Sequence, residues 1–270
     1  MITFDVFGEG KNKAVTLSFD DGHIQDERLV ALFNKYGLKG TFHLNSGLFG
    51  NVSSPSGRVR LAEDRIRELY VGHEIACHST VHTTLTQLPT QEIVSDTLAD
   101  RANLERICGY PVRGMSYPNG AYDERVMDAL RSCGIEYSRT VVPSGGSFLP
   151  DEFLAWHPSC HYSHAMEVAK AFAANYRKGR LLYIWGHGFE MDESEEYGWE
   201  YTEELCRVLA SDAENTWYAT NIEIVDFVNA QRNLKITADG RTVYNPSAID
   251  VWFRCDGRPV RIKGGETLKV

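Results

Sequence analysis

No stretch of this 270-residue sequence is long and apolar enough to span a bilayer. The longest unbroken apolar run near its end is Leu181 to Trp185, where a spanning helix needs roughly 20 residues. Positive charge is also scarce: 28 Lys and Arg face 37 Asp and Glu, a net charge of -9. Phosphate backbones are bound by basic faces, so no nucleic-acid partner is expected, and the acidic balance suits a neutral or cationic substrate. Close cysteine pairs are missing. Cys77, Cys108, Cys133, Cys160, Cys206 and Cys255 are widely scattered, a pattern that resembles buried free thiols more than a disulfide frame or zinc knuckle. Met1 to Lys13 holds no apolar run preceded by positive charge, so it does not read as a secretory leader. The sequence as given is expected in the cytoplasm, although a mature form with its leader removed would look the same. Internal repeats and low-complexity segments are absent too.

What is present is a rhythm. Ala14 to Phe19 alternates Val15, Leu17 and Phe19 with hydroxyl residues and runs into Asp20-Asp21-Gly22, a strand ending in a turn. Helix-like and strand-like stretches then alternate. Helices are expected over Asp26 to Tyr36, Asp64 to Leu69, Thr90 to Ile107, Asp123 to Cys133, Ala165 to Tyr176, Tyr201 to Ser211 and Ile222 to Gln231. Strands are expected over Gly40 to Leu44, Glu74 to Cys77, Gly114 to Tyr117, Tyr137 to Thr140, Leu181 to Trp185 and Trp217 to Ala219. Such alternation implies parallel pairing through right-handed crossovers. About seven units favour a distorted (β/α)7 barrel, in which reacting groups sit at the C-terminal strand ends. From Leu234 the character changes: Asp239-Gly240, Asp256-Gly257 and Gly264-Gly265 punctuate short stretches rich in Val, Ile and Trp, which is hairpin chemistry. The expected division is a barrel over residues 1–233 and a small β-rich extension over 234–270.

Three of those strand ends carry groups suited to chemistry. Asp20 and Asp21 follow the first, His78 and His82 the third, and His187 a later one. Two imidazoles and one carboxylate form an open divalent-metal site, with a spare carboxylate left over as a base. The four-residue spacing of His78 and His82 would place both rings on one side of a helical turn. Taken singly, each feature has a plainer explanation: paired Asp before Gly ends many strands, and surface helices often carry His at this spacing. His157, His161 and His164 read as turn and core residues, and the acidic run Glu190 to Glu196 as a solvated loop. His23 and His43 lie near the rim. Tyr122, Trp185 and Phe189 could wall a sugar or simply pack over the barrel mouth. A serine nucleophile elbow is disfavoured, since Gly114-Met-Ser116-Tyr-Pro118 ends in Pro.

Taken together, the segments resemble the polysaccharide deacetylases, the NodB-homology group of carbohydrate esterase family four. Leu17-Ser-Phe-Asp-Asp-Gly22 resembles that family's first motif and Gly72-His-Glu-Ile-Ala-Cys-His-Ser-Thr-Val-His82 its second. Ser116-Tyr-Pro-Asn-Gly-Ala-Tyr-Asp123 resembles the third and Leu182-Tyr-Ile-Trp-Gly-His187 the last, so the likeness runs from about Ala14 to about Arg232. The resemblance implies removal of acetyl groups from a carbohydrate polymer or oligomer. Asp20 would be the general base and Asp21, His78 and His82 would bind the metal, usually zinc in that family, with cobalt or nickel also serving. The backbone N–H of Asn119 would stabilise the oxyanion, Tyr117 and Trp185 would contact substrate, and His187 would protonate the leaving group.

The third motif departs from the family pattern. An Arg four residues before the Gly usually pairs with the catalytic Asp, and a Tyr usually precedes that Gly; Ser116 and Asn119 stand there instead. Arg113 lies three positions too early, so Arg139, at the end of the next expected strand, is the preferred cationic partner. The usual Asp-Trp pair of the fourth motif is not evident either; Trp156-His-Pro158 stands in that region. Two other readings remain open: an amidohydrolase of a small cyclic amide on the same fold, and a turnover-deficient carbohydrate-binding protein.

Overall fold

In a computed structural model, which describes residues 1–175 and 177–270, a two-residue strand Ile2–Thr3 (β1) precedes the long strand Lys13–Asp20 (β2). The alternation of β2 suggests one wet face, yet all eight of its residues are buried, because a parallel sheet is covered on both sides. Val15, Leu17 and Phe19 pack outward against the helices. Thr16, Ser18 and Asp20 point into the barrel and are held by hydrogen bonds there.

The chain continues through Asp26–Tyr36 (α1), Gly40–Leu44 (β3), Glu63–Leu69 (α2), Glu74–Cys77 (β4), Thr90–Cys108 (α3), Gly114–Ser116 (β5), Glu124–Ser132 (α4) and Tyr137–Arg139 (β6). Then come Cys160–His161 (β7), Ala165–Ala173 (α5), Arg180–His187 (β8), Glu190–Glu193 (α6), Trp199–Ala210 (α7), Thr216–Tyr218 (β9) and Asn221–Arg232 (α8). The parallel sheet runs β6-β5-β4-β3-β2-β8-β7. β8 pairs with β2 along its whole length, while β9 and β3 share the other edge, β9 over Lys13 to Val15 and β3 over Leu17 to Asp20. The segment from Trp156 to His161 draws the sheet round. The Trp156 N–H donates to Ser138 O at 3.0 Å on one side, and Ser159 N–H to Tyr183 O at 2.7 Å on the other. The result is the distorted (β/α)7 barrel that the alternation predicts.

Helix ends follow local chemistry. Thr220 and Glu223 form a reciprocal capping box at the start of α8, and the Asp123 carboxylate accepts from Val126 N–H at 2.8 Å at the start of α4, each satisfying donors that a helix leaves orphaned. The expected helix Ala165 to Tyr176 ends at Ala173, and Tyr176 itself lies outside the described residues. β1, β7 and α6 carry no signal that the sequence reading found, being two to four residues long. All six cysteines are free, four of them buried. No helix among the described residues is long and apolar enough to cross a membrane.

The barrel lumen is polar rather than oily. Glu74 accepts from Tyr137 Oη at 2.7 Å, Thr41 Oγ1 at 2.9 Å and Ile222 N–H at 2.9 Å, and the Asn221 amide links Thr16 to Tyr183. Buried polar groups persist only when satisfied in this way. After Leu234 the chain forms Lys235–Ile236 (β10), Thr242–Tyr244 (β11), Val251–Cys255 (β12), Arg258–Ile262 (β13) and Thr267–Lys269 (β14). The β12–β13 hairpin turns at Asp256-Gly257, both with positive φ of 49° and 79°, as a two-residue primed turn requires. β1 pairs antiparallel with β12, so the first residues of the chain belong to this terminal sheet.

Candidate active site

Asp20 closes β2 with its side chain in the lumen and is 3% exposed. Its carboxylate is ion-paired with Arg139, which is wholly buried, and accepts from Ser116 Oγ at 3.1 Å. Arg139 is itself fixed: its Nε donates to Ser18 Oγ at 3.1 Å and its Nη1 to Thr140 O at 3.1 Å, and its guanidinium lies over Trp185 at 4.4 Å. Burial opposes ionisation of Asp20, but Arg139, with His78 and His43 behind it, more than offsets that and holds the carboxyl well below its usual range. Arg113 is elsewhere, bound to Glu136 and Asp226.

Asp21 takes a left-handed backbone, φ 83°, which turns its carboxylate away from the lumen and toward His78 and His82. His78 Nε2 and His82 Nε2 each lie 3.9 Å from Asp21 Oδ1, and the three donor atoms are all within 4.8 Å of one another. Around one ion with bonds of about 2.0–2.2 Å, donors sit roughly 3–4 Å apart, so the spacing fits a divalent metal. The chemistry fits too. His78 is held neutral, pushed down to about 4 mainly by burial, as a ligating imidazole must be. Its Nδ1 faces Ser116 O at 2.9 Å, which leaves Nε2 for the site. Arg60 neutralises Asp21, donating to the same Oδ1 at 3.1 Å.

His78 and His82 do not share a helical turn. Residues 78 to 84 form a loop in which Ser79 and His82 adopt positive φ of 63° and 61°. The Asn45 amide binds the carbonyls of His78 and Ser79, and the Asp100 carboxylate takes the His78 N–H at 3.0 Å. These fixed bonds bring the rings to 4.8 Å, edge to face.

The sheet register sets His187 beside Asp20, since the two residues pair directly across β2 and β8. Glu190, from the short helix α6, serves it. Glu190 Oε2 accepts the His187 backbone N–H at 3.0 Å and lies 3.1 Å from His161 Nε2, while Oε1 lies 3.4 Å from His187 Nδ1. Burial resists the charge of Glu190, but the His161 bond and the neighbouring His187 imidazole outweigh it and bring the carboxyl down to about 2. The same carboxylate raises His187 above its usual value despite burial. Sequence reasoning took Glu190 for part of a solvated acidic loop and His161 for a turn residue. The i to i+3 spacing from His187 was the only available signal.

Other expected site residues fall differently. Asn119 has φ 58°, its amide donates to Thr84 Oγ1 at 2.7 Å, and among the described residues its backbone N–H meets no protein acceptor. Tyr117 turns inward instead of toward substrate. It is 1% exposed, its hydroxyl donates to Leu154 O at 2.7 Å and its N–H to Arg139 O, because Ser116, one residue earlier, already faces the site and side chains alternate. Trp185 is wedged between Arg139 and His161, the latter at 4.8 Å edge to face. His23 packs edge-on against Phe189 at 4.9 Å.

Residues 7–138 match the family described as polysaccharide deacetylase. Peptidoglycan-N-acetylglucosamine deacetylase PgdA of Listeria monocytogenes is 29% identical over 129 residues, 47% of this chain and 26% of that protein. Among solved structures, the Xyl-CE4 domain of a multidomain xylanase from the hindgut metagenome of Trinervitermes trinervoides has a TM-score of 0.52 at 19% identity, covering 86% of this chain and 100% of that one. A family 4 acetyl xylan esterase from Clostridium thermocellum, in complex with a cobalt ion, has a TM-score of 0.51 at 18% identity, covering 81% and 92%. At such identities the likeness is one of fold. The chain spans about half the length or less of the curated relatives it matches.

Proposed function

We propose that this chain, whose residues 7–138 belong to the polysaccharide deacetylase family, is a metal-dependent hydrolase that removes acetyl groups from an acetylated carbohydrate, releasing acetate and a free amine. The observation that carries this reading is the meeting of Asp21, His78 and His82 within 4.8 Å, with Asp20 and His187 in register beside them. Asp21, His78 and His82 would hold the ion, zinc first by donor set and cobalt or nickel as substitutes. When bound, such an ion would acidify a water and polarise the acetyl carbonyl.

The chain's own groups then have separate tasks. Asp20, ionised and steered by Arg139 and Ser116, takes the proton of the attacking water. Its depressed proton affinity makes it a weak base toward ordinary water, which is why the acidifying ion belongs in the reading. The free N–H of Asn119 donates to the acetyl oxygen as negative charge develops on it. His187, kept charged by Glu190 at Nδ1, gives the Nε2 proton to the departing nitrogen, so the C–N bond breaks without expelling an amide anion. Trp185 walls the space above Arg139 and narrows access by water.

The test is acetate release from chitooligosaccharide, peptidoglycan fragments and acetylated xylan, measured in parallel with metal content on the same sample. Zinc- or cobalt-loaded protein is expected to release acetate from chitooligosaccharide or the peptidoglycan fragments, with acetylated xylan as the ester comparison, and to stop on chelation. Full activity in His78→Ala would end this reading.

A further inference from the structure

The terminal strands and the barrel do not meet flush. Between them lies a cavity of about 560 Å³ walled by Gly8, Glu9, Trp217, Trp252 and the acids Glu223, Asp226 and Asp250, a size usual for small-molecule sites and a place where such sites commonly form. A Cβ on Gly8 would lie 2.6 Å from the Trp217 ring and one on Gly10 3.1 Å from the Trp252 ring. The two glycines therefore let the turn lie flat against both indoles, with Glu9 between them at φ 58°. Three of the carboxylates are already matched: Glu223 by Lys39, Asp226 by both arms of Arg113, and Asp250 by Arg261. Among the described residues Glu9 has no ion pair or hydrogen bond, and neither indole N–H is donated to the protein. The cavity thus presents two half-buried indoles, acceptors fixed by their own partners, and one uncompensated negative charge.

We propose that this cavity binds a sugar unit bearing a protonated amine, apart from the catalytic rim. The indole surface that the turn leaves open suits the apolar face of a pyranose ring, and each indole N–H can donate to a hydroxyl. Glu9 complements one ammonium, and the matched carboxylates keep lone pairs for hydroxyls. The choice of an amino sugar over other cations rests on the deacetylase reading, since that reaction leaves such a unit behind. Trp217 is in register with Ala14, at the opposite end of β2 from Asp20, roughly 20 Å away at about 3.3 Å per residue. The terminal sheet would then hold product-like stretches of polymer while the rim works elsewhere on the chain.

Calorimetric titration of the full chain with a glucosamine tetramer tests this, with the N-acetylglucosamine tetramer and tetralysine as comparison ligands. Binding of the glucosamine tetramer is expected, at least tenfold tighter than the acetylated tetramer, and weakened at least tenfold by Glu9→Gln and by Trp252→Ala. Acetate release by Glu9→Gln from a short soluble substrate is expected to be unchanged. Equal binding of the acetylated tetramer, tighter binding of tetralysine, or undiminished binding by Glu9→Gln would each overturn the proposal. Glu9 is exposed, so that variant decides the matter even if Trp252→Ala fails to fold. Binding is read without turnover, so a failed deacetylase reading would appear separately, as absent acetate release with this site intact.

Discussion

Two clusters at the barrel mouth each bring three metal-capable side chains within 4.8 Å: Asp21 with His78 and His82, and Glu190 with His161 and His187. They differ in what their donors already do. In the first, Asp21 and His82 sit on left-handed backbone, the imidazole donors stand 3.9 Å from the carboxylate, and the space between them is the size of an ion. In the second, the carboxylate lies 3.1 Å and 3.4 Å from its imidazoles, at or near hydrogen-bond distance. Neither composition nor spacing tells a cation site from a proton site, since both sets of gaps suit an ion; what differs is that Glu190 Oε2 already accepts the His187 backbone N–H and lies in hydrogen-bond contact with His161 Nε2. On the proposed reading the first would hold a metal and the second a proton.

The sharpest way to break that distinction is to remove one member of each cluster. Asp21→Ala is expected to abolish both metal binding, read by elemental analysis, and acetate release. Retained metal in that variant would put the ion elsewhere. Asp20→Asn should keep its metal and lose activity by a factor on the order of 10²–10⁴, the range for a positioned base; parallel loss of metal would make Asp20 a ligand instead. Glu190→Gln should also keep its metal and lose roughly 10–100-fold, as orienting partners typically do. Its signature is a pH profile. His187 is held above its usual value largely by Glu190, so the proton it donates is present below that raised value and lost above it. Neutralising Glu190 should therefore move the alkaline limb of kcat to lower pH, and an unmoved limb would remove His187 from the acid role.

The smallest effect on turnover is expected beneath both clusters. Burial pushes Glu74 from 4.5 up to about 7 even though three donors oppose it. The folded state then binds a proton that the unfolded chain releases between pH 4.5 and 7. Stability from this group is full below 4.5 and falls by about 3 kcal/mol as pH rises to 7. Glu74→Gln should flatten that slope in denaturant titrations between pH 5 and 7 while leaving metal content unchanged.

Much of this arrangement was legible in the chain. The strand at Ala14 to Phe19, the paired aspartates and the two histidines announce themselves, and Arg139 was preferred over Arg113 from its place at a strand end. The helical turn assigned to His78 and His82 was not there, because spacing alone cannot distinguish a turn of helix from a loop pinned by Asn45 and Asp100. Tyr117 was placed at the substrate because its motif position suggested it, whereas alternation past Ser116 sends it into the core. Glu190 was missed because its work depends on His161, 29 residues earlier and on another strand.

By itself the sequence determined the kinds of groups available and the parallel barrel that carries them, since hydrophobic periodicity and turn chemistry act within a few residues. Asp21 and Arg139 could be assigned from motif and strand position, but the loop that brings His78 and His82 to Asp21, and the pairing of Glu190 with His187 and His161, were decided only by the tertiary structure. Those choices depend on side chains far apart in sequence being pressed together in a buried lumen, where each unmatched charge is costly enough to fix its partner.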